Sequence, residues 1–349
     1  MASVRVFLTT YRRPALLRRA VRSLLAQTHT QWVCEVHNDD PSDDQPRALL
    51  DELARGDSRF VYNQHPENWG AVGVFNHMYR GGPEPFASLL EDDNWWDPEF
   101  LQTAVAVLER NPGAAMAWAN MRRWREEPDG AWTDLNCSIW TVGPGAPETV
   151  VFSWPECLQS FDALHSQGAM VFRPGRFRTP EVPLATPLDI IEPLRERAAL
   201  GPLVLICRPL ANFAQTARTA RSVDPLDWIQ SKLLVAASFF DSVEIGPAEL
   251  KRLWAARRVL RPHDTMVFFS LALAVRQPRL LRHAHPADWL RAVLEIARQP
   301  VRVVRALRFR TDCAETWNWL VGQSAAFGRP RAKATALSKV IQAPPPPPP

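Results

Sequence analysis

Short apolar runs of strand length alternate with longer segments of helical period through the first 120 residues, and nothing else in the chain constrains the fold as tightly. Val4 to Thr9 reads as a strand. Pro14 to Gln27 reads as a helix, because Leu16, Leu17, Ala20, Val21, Leu24 and Leu25 recur at helical spacing and Pro14 suits the first turn. Trp32 to His37, Arg59 to Asn63 and Phe86 to Leu90 supply further strands; Asp44 to Ala54, Gly73 to Tyr79 and Pro98 to Glu109 supply the intervening helices. This order predicts an α/β fold with a mostly parallel sheet covered by helices. Ligands of such sheets gather at the carboxyl ends of the strands. The polar clusters stand there: Thr9-Thr10-Tyr11, Asn38-Asp39-Asp40 and Glu91-Asp92-Asp93.

The later chain divides by pattern. Ala115 to Asn120, Gly168 to Phe172 and Leu203 to Cys207 are apolar enough for strands, Arg122 to Pro147 reads as loop or hairpin, and Asp189 to Ala199 as a helix. From Asp224 the pattern turns helical, with candidates at Leu226 to Phe240, Ala248 to Val259, Met266 to Val275, Ala287 to Arg298 and Thr311 to Leu320. We therefore expect a first domain over residues 1–222, a C-terminal helical region over 223–335, and a disordered Pro-rich tail over 336–349 that ends in polyproline.

Composition narrows the function classes. A net charge of +4 with no recognisable nucleic-acid signature argues against a nucleic-acid partner. The five cysteines are scattered with no C-x-x-C pair, which argues against a zinc site or disulfide framework built on them and fits a reducing compartment. No signal peptide and no run long enough to span a bilayer stand out, so a cytoplasmic protein is expected, or one peripheral to the inner face of a membrane. The basic amphipathic stretch Arg302 to Arg310 suits either an anionic membrane surface or a solvated helix face.

The tetrad Glu91-Asp92-Asp93-Asn94 follows the apolar run Phe86 to Leu90. Adjacent carboxylates at the end of a buried strand repel one another and lose solvation, so they need a cation or a network of donors. A hard divalent ion, Mg2+ or Mn2+, is the natural counterion for carboxylate oxygens and points to nucleotide chemistry. An acidic turn before a helix N-terminus is the plainer alternative. The aromatic faces of Trp95 and Trp96, just beyond, suit stacking on a sugar as well as core filling.

The order of these pieces resembles the opening of the family 2 glycosyltransferases of GT-A fold. It runs from Thr9-Thr10-Tyr11-Arg12-Arg13-Pro14 through Leu25-Ala26-Gln27-Thr28 and Asn38-Asp39 to Asn68-x-Gly70, Asn76 and Glu91-Asp92-Asp93. The likeness covers roughly residues 3 to 125. It implies a nucleotide-sugar-binding, Rossmann-like mixed sheet flanked by helices, and an inverting, metal-assisted transfer of a sugar from a nucleoside-diphosphate donor to a hydroxyl acceptor. A glycan, a lipid-linked glycan or a small molecule would fit the acceptor. By that likeness Thr9, Tyr11, Asp39 and Asp92 lie on the donor side. Asp39, an acceptor-only carboxylate, would take the imide N–H of uracil and favour a UDP-sugar. Asp93 would hold the Mn2+ or Mg2+. Asp189 would be the base that deprotonates the acceptor, with Glu192 as the alternative; His165 would lie on the acceptor side. Two other readings remain. One is a nucleotide-sugar-binding or scaffold protein of the same fold without turnover. The other is a sugar-phosphate nucleotidyltransferase, disfavoured because no glycine-rich loop follows the first strand.

Overall fold

The computed structural model describes residues 2–152, 164–179, 181–216, 224–251, 278–325 and 341–342. Its centre is a mixed sheet. Strands β1 (Val4–Thr10), β2 (Trp32–Asn38), β3 (Phe60–Gln64) and β4 (Phe86–Glu91) run parallel in the spatial order β3-β2-β1-β4. β5 (Trp95–Trp96), β6 (Met116–Glu126), β7 (Trp132–Ser138), β8 (Thr141–Val142), β9 (Thr149–Phe152), β10 (Met170–Phe172) and β11 (Leu203–Gln215) follow in the chain. β10 enters antiparallel between β4 and β6, β6 pairs parallel with β11, and β5 closes the far edge.

Helices α1 (Pro14–Leu25), α2 (Gln45–Leu53), α3 (Gly70–Tyr79) and α4 (Phe100–Arg110) cover this sheet as the alternation requires. In α1 the residues Leu17, Ala20, Val21 and Leu24 are buried, one apolar stripe at the period read from the sequence. β1 and β4 are nearly sealed along their length, as expected for strands covered on both faces.

The C-terminal half adds α5 (Ile191–Ala198), α6 (Pro225–Ser242), α7 (Pro286–Arg298), α8 (Pro300–Leu307), α9 (Phe309–Asp312) and α10 (Ala314–Ala325). Buried Arg197 of α5 ties the helical region to the sheet: its guanidinium donates to Ser238 Oγ and, at 2.6 Å, to the Val235 carbonyl, both in α6. The expected helices at Ala248 to Val259 and Met266 to Val275 fall largely outside the described residues, as does the polyproline. Within the stretch read as a tail, β12 (Ile341–Gln342) pairs antiparallel with β8.

Two elements differ from the sequence reading. The strand expected to stop at Cys207 continues to Gln215, because its register with β6 shifts around Pro209 and then resumes. Trp95 and Trp96 form the short strand β5 against Asn212 and Ala211, a pairing too brief to show as a period.

Asn76 of α3 bridges the halves of the chain. Its amide donates to the Val182 carbonyl at 2.7 Å, and its carbonyl accepts from the Val182 N–H at 2.9 Å and from buried Arg195 Nη2 at 2.7 Å. Asn76→Ala leaves these buried groups without partners, which should lower unfolding stability by about 1–3 kcal/mol. Urea titration of the variant checks this; an unchanged midpoint would contradict the bridging role.

Candidate active site

Three strand ends meet at one edge of the sheet. β1 lies between β2 and β4, with Thr10 opposite Asn38 and Thr9 opposite Glu91. The Asp39 N–H donates to the Thr10 carbonyl at 3.0 Å, and the Asp92 N–H to the Thr9 carbonyl at 3.1 Å. Both acidic clusters therefore hang from the end of β1, on a common crest.

The chain turns sharply after β1. Arg12 has φ 56°, the left-handed region that non-glycine residues rarely adopt. The turn starts α1 at Pro14 and sends Arg13 back across the crest. Arg13 Nη2 lies 2.6 Å from Asp92 Oδ1, and Nη1 donates to Asp93 Oδ2 at 2.9 Å. Thr10 Oγ1 donates to the other oxygen of Asp92 at 2.8 Å. Arg19, one helical turn and a half further on, donates to the Asp93 carbonyl at 2.8 Å. Its guanidinium is sandwiched 3.7 Å above Trp95 and 4.1 Å above Trp132. Burial lowers the Arg19 pKa to about 10, which leaves it charged at neutral pH.

Asp92 is fully buried and Asp93 partly exposed. Burial raises the Asp92 pKa to about 7, against the opposing pull of Arg13 and the Thr10 hydroxyl. The N-cap position of α4 is held by Glu99, eight residues after Glu91. Glu91 accepts from Asn94 Nδ2 at 2.9 Å, closing the acidic turn on itself. Gly168 packs on this turn: a Cβ there would meet Asn94 Nδ2 at 2.7 Å and Glu91 Oε2 at 2.9 Å.

On the β2 side, Asp39 is buried and accepts from His65 Nδ1 at 2.8 Å, the Trp69 N–H at 2.8 Å and the Gly70 N–H at 3.0 Å. Only Gly70 stands on Oδ2, so that oxygen keeps acceptor capacity. Neighbouring Asp40 pairs with Arg12 and accepts from Ser42; the Arg12 hydrogen bond holds its pKa down to about 2. Thr9 is half-buried and Tyr11 exposed at the same edge.

The acceptor-side candidates separate. Trp96 is sealed; it donates to the Gly168 carbonyl at 2.7 Å and packs on Phe100. Trp95 is half-exposed and has Arg19 over its ring. His165 accepts from Trp140 Nε1 at 3.0 Å, and burial holds its pKa near 3, so it is neutral. Asp189 is half-buried in the turn (Leu188–Ile190) that leads into α5, and Glu192 is buried on α5 itself. Burial, then the charges of Glu192 and Glu91, raise the pKa of the Tyr79 phenol, with Arg195 opposing. Both carboxylates thus act on one buried phenol beneath the crest. Arg19 is absent from the sequence reading of the site, which carries Thr10 only within a strand-end cluster and Gly168 only as the start of a strand. Arg13 was visible only as a basic residue near the turn, since its pairing spans 79 and 80 positions.

A mixed sheet whose parallel strands carry acidic clusters on one crest, joined to antiparallel β10, has the architecture of the GT-A fold. In fold the chain is similar to S. aureus TarS 1–349 in complex with UDP (TM-score 0.58, 14% identity, 89% of this chain and 91% of that one). It is also similar to TarS 1–349 in complex with UDP-GlcNAc (TM-score 0.52, 16% identity, 93% and 91%). Residues 5–151 match the family model described as Glycosyl transferase family 2. An uncharacterised glycosyltransferase of Nostoc sp. is 29% identical over 106 residues. That match spans 30% of this chain and only a third (33%) of the Nostoc protein.

An acid whose folded pKa lies above its unfolded value binds its proton more tightly when folded. Its stabilising effect is complete below about pH 4 and is lost as pH rises toward 7. Asp92→Asn, which mimics the protonated side chain, should therefore gain on wild type in thermal stability from about pH 5 to about pH 8. Unfolding midpoints at the two values check this; a difference independent of pH would contradict the burial of an ionisable Asp92.

Proposed function

We propose that the protein moves a sugar from a UDP-sugar to a hydroxyl acceptor with inversion at the anomeric carbon, assisted by a divalent cation. The observation that carries this reading is the acidic pair on the crest. Asp92 and Asp93 share the single guanidinium of Arg13, Glu91 lies beside them, and Asp93 is partly exposed. Asp92 Oδ1 is buried, close to Arg13 but without a hydrogen bond. This is an oxygen-only, acid-rich donor set, which fits Mn2+ or Mg2+. Asp93 would hold the ion, which when bound supplies Lewis-acid stabilisation of the leaving diphosphate.

The chain's own residues do the rest. Asp39 offers Oδ2 to the imide N–H of uracil, with its other oxygen fixed by His65 and Trp69. Thr9 and Tyr11 border the same edge. Asp92, braced by Thr10 and Arg13, faces the ribose. Asp189, at the turn into α5, takes the proton of the acceptor hydroxyl as it attacks; Glu192 is the alternative base. Asn76 sets the loop at Val182 that leads to both. Solved complexes of UDP and UDP-GlcNAc on the same fold support the choice of donor class.

Asp93→Ala should abolish sugar transfer in a folded protein. Asp189→Asn should lower turnover by roughly a hundredfold to ten-thousandfold while UDP binding persists. Radiolabelled transfer and a UDP thermal shift measure the two effects. Normal turnover of Asp93→Ala would sink the mechanism, and normal turnover of Asp189→Asn would move the base to Glu192.

The acceptor we propose is presented at a membrane surface. Among the described residues, no helix is long and apolar enough to cross a membrane. Yet α7 and α8 expose Leu290, Val293, Val301 and Val304 beside the exposed cations Arg298 and Arg305. Apolar side chains interleaved with cations suit the headgroup region of an anionic bilayer. Cosedimentation with phosphatidylglycerol vesicles should be strong for wild type and at least severalfold weaker for Leu290→Glu with Val301→Glu. Equal pelleting, or none for wild type, would contradict the contact.

A further inference from the structure

A second polar cluster lies behind the crest, between β2 and α3. Glu35 and His37 are two residues apart on β2 and share one face of the sheet. His77 of α3 brings its ring to 5.1 Å from that of His37. One ligand atom from each of Glu35, His37 and His77 falls within 4.8 Å of the other two.

Proton accounting shows what the cluster lacks. Glu35 pairs through Oε1 with Arg5, which also binds Glu84, and its carboxylate oxygens serve here as acceptors. At the other end the Asp39 carboxylate already accepts two backbone N–H groups, so His65 Nδ1 donates to it. With one proton on each ring, His65 Nε2 is an acceptor and receives the Nδ1–H of His37 at 3.0 Å. His37 Nε2 is then left with a bare lone pair, 3.3 Å from the carboxylate oxygen Glu35 Oε2. Two acceptors face each other at a largely buried position, with the third possible ligand, His77, alongside.

We infer that Glu35, His37 and His77 form a binding site for a divalent transition metal of the zinc type. The ligand set, two imidazoles and one carboxylate, suits zinc and leaves a fourth position for water. Tetrahedral bonds of about 2.0–2.2 Å place ligand atoms roughly 3.3 Å apart, the separation already present between His37 Nε2 and Glu35 Oε2. Half-exposed His77 supplies the remaining adjustment by side-chain rotation. Behind the site, His37 donates to His65 and His65 to Asp39, the outer-shell chain that fixes the tautomer of a metal-ligating histidine. Imidazole ligands select a softer ion than the oxygen-only crest does, so the two sites are separable. An ion here would lock the end of β2 to α3 and hold Asp39 in place.

Chelator-treated full-length protein titrated with Co2+ tests this, since four-coordinate cobalt gives intense visible bands. Wild type and Asp93→Ala should both develop the bands with one equivalent of Co2+. Equimolar Zn2+ should abolish them, and excess Mg2+ should leave them intact. His77→Ala and Glu35→Gln, shown to be folded by circular dichroism, should each bind Co2+ at least tenfold more weakly. No bands in wild type, bands lost in Asp93→Ala, or unchanged affinity in both folded ligand variants would each overturn the site.

Discussion

The ion pair of one guanidinium with two carboxylates organises the site. Arg13 reaches Asp92 and Asp93 only because Arg12 adopts a left-handed backbone and reverses the chain between β1 and α1. Buried Asp92 without that partner would carry a desolvation cost that hydrogen bonds from the Thr10 hydroxyl and the Tyr11 backbone do not offset. The same pairing fixes where α1 begins: Arg13 occupies the N-cap, and its side chain serves the crest and not the helix. Helix start, strand end and acidic motif are thus one construction.

A second construction mirrors it on the far side of β1. Asp39 receives the first N–H groups of α3, the helix whose Asn76 grips Val182 and Arg195. α3 therefore links the Asp39 carboxylate to the loop that leads into Asp189 and Glu192. The imidazole chain through His65 and His37 extends this linkage under the sheet. A change in the position of α3 would be felt both at Asp39 and at the segment that bears Asp189 and Glu192, which gives a physical reason for polar contacts of such density around one short helix.

Much of this was legible in the sequence. β1 to β4 and their helices followed from hydrophobic period, and the strand-end rule put Thr9, Asp39, Asp92 and Asp93 on a common edge, where the structure has them. What escaped was set by partners distant in the chain. Arg13 was legible only as a cation, since nothing local ties it to residues 79 and 80 positions away. Gly168 carries no positive φ to mark it; its need for a missing Cβ comes from Glu91 and Asn94. The extension of β11 past Pro209 depends on β6, which outweighs the local signal of a proline. The His37–His65–Asp39 chain joins residues 26 and 28 apart through a sheet register no periodicity reveals.

The central claim is that strand-end acids around β1 cradle a nucleoside diphosphate. A crystal structure of the protein with UDP and Mn2+ tests it most directly. The account predicts the diphosphate over the tips of β1 and β4, an Asp93 oxygen on the metal, and the uracil at the β2 end beside Asp39. Density for UDP elsewhere, or a crest that keeps Arg13 on both carboxylates with the nucleotide bound at another surface, would contradict it.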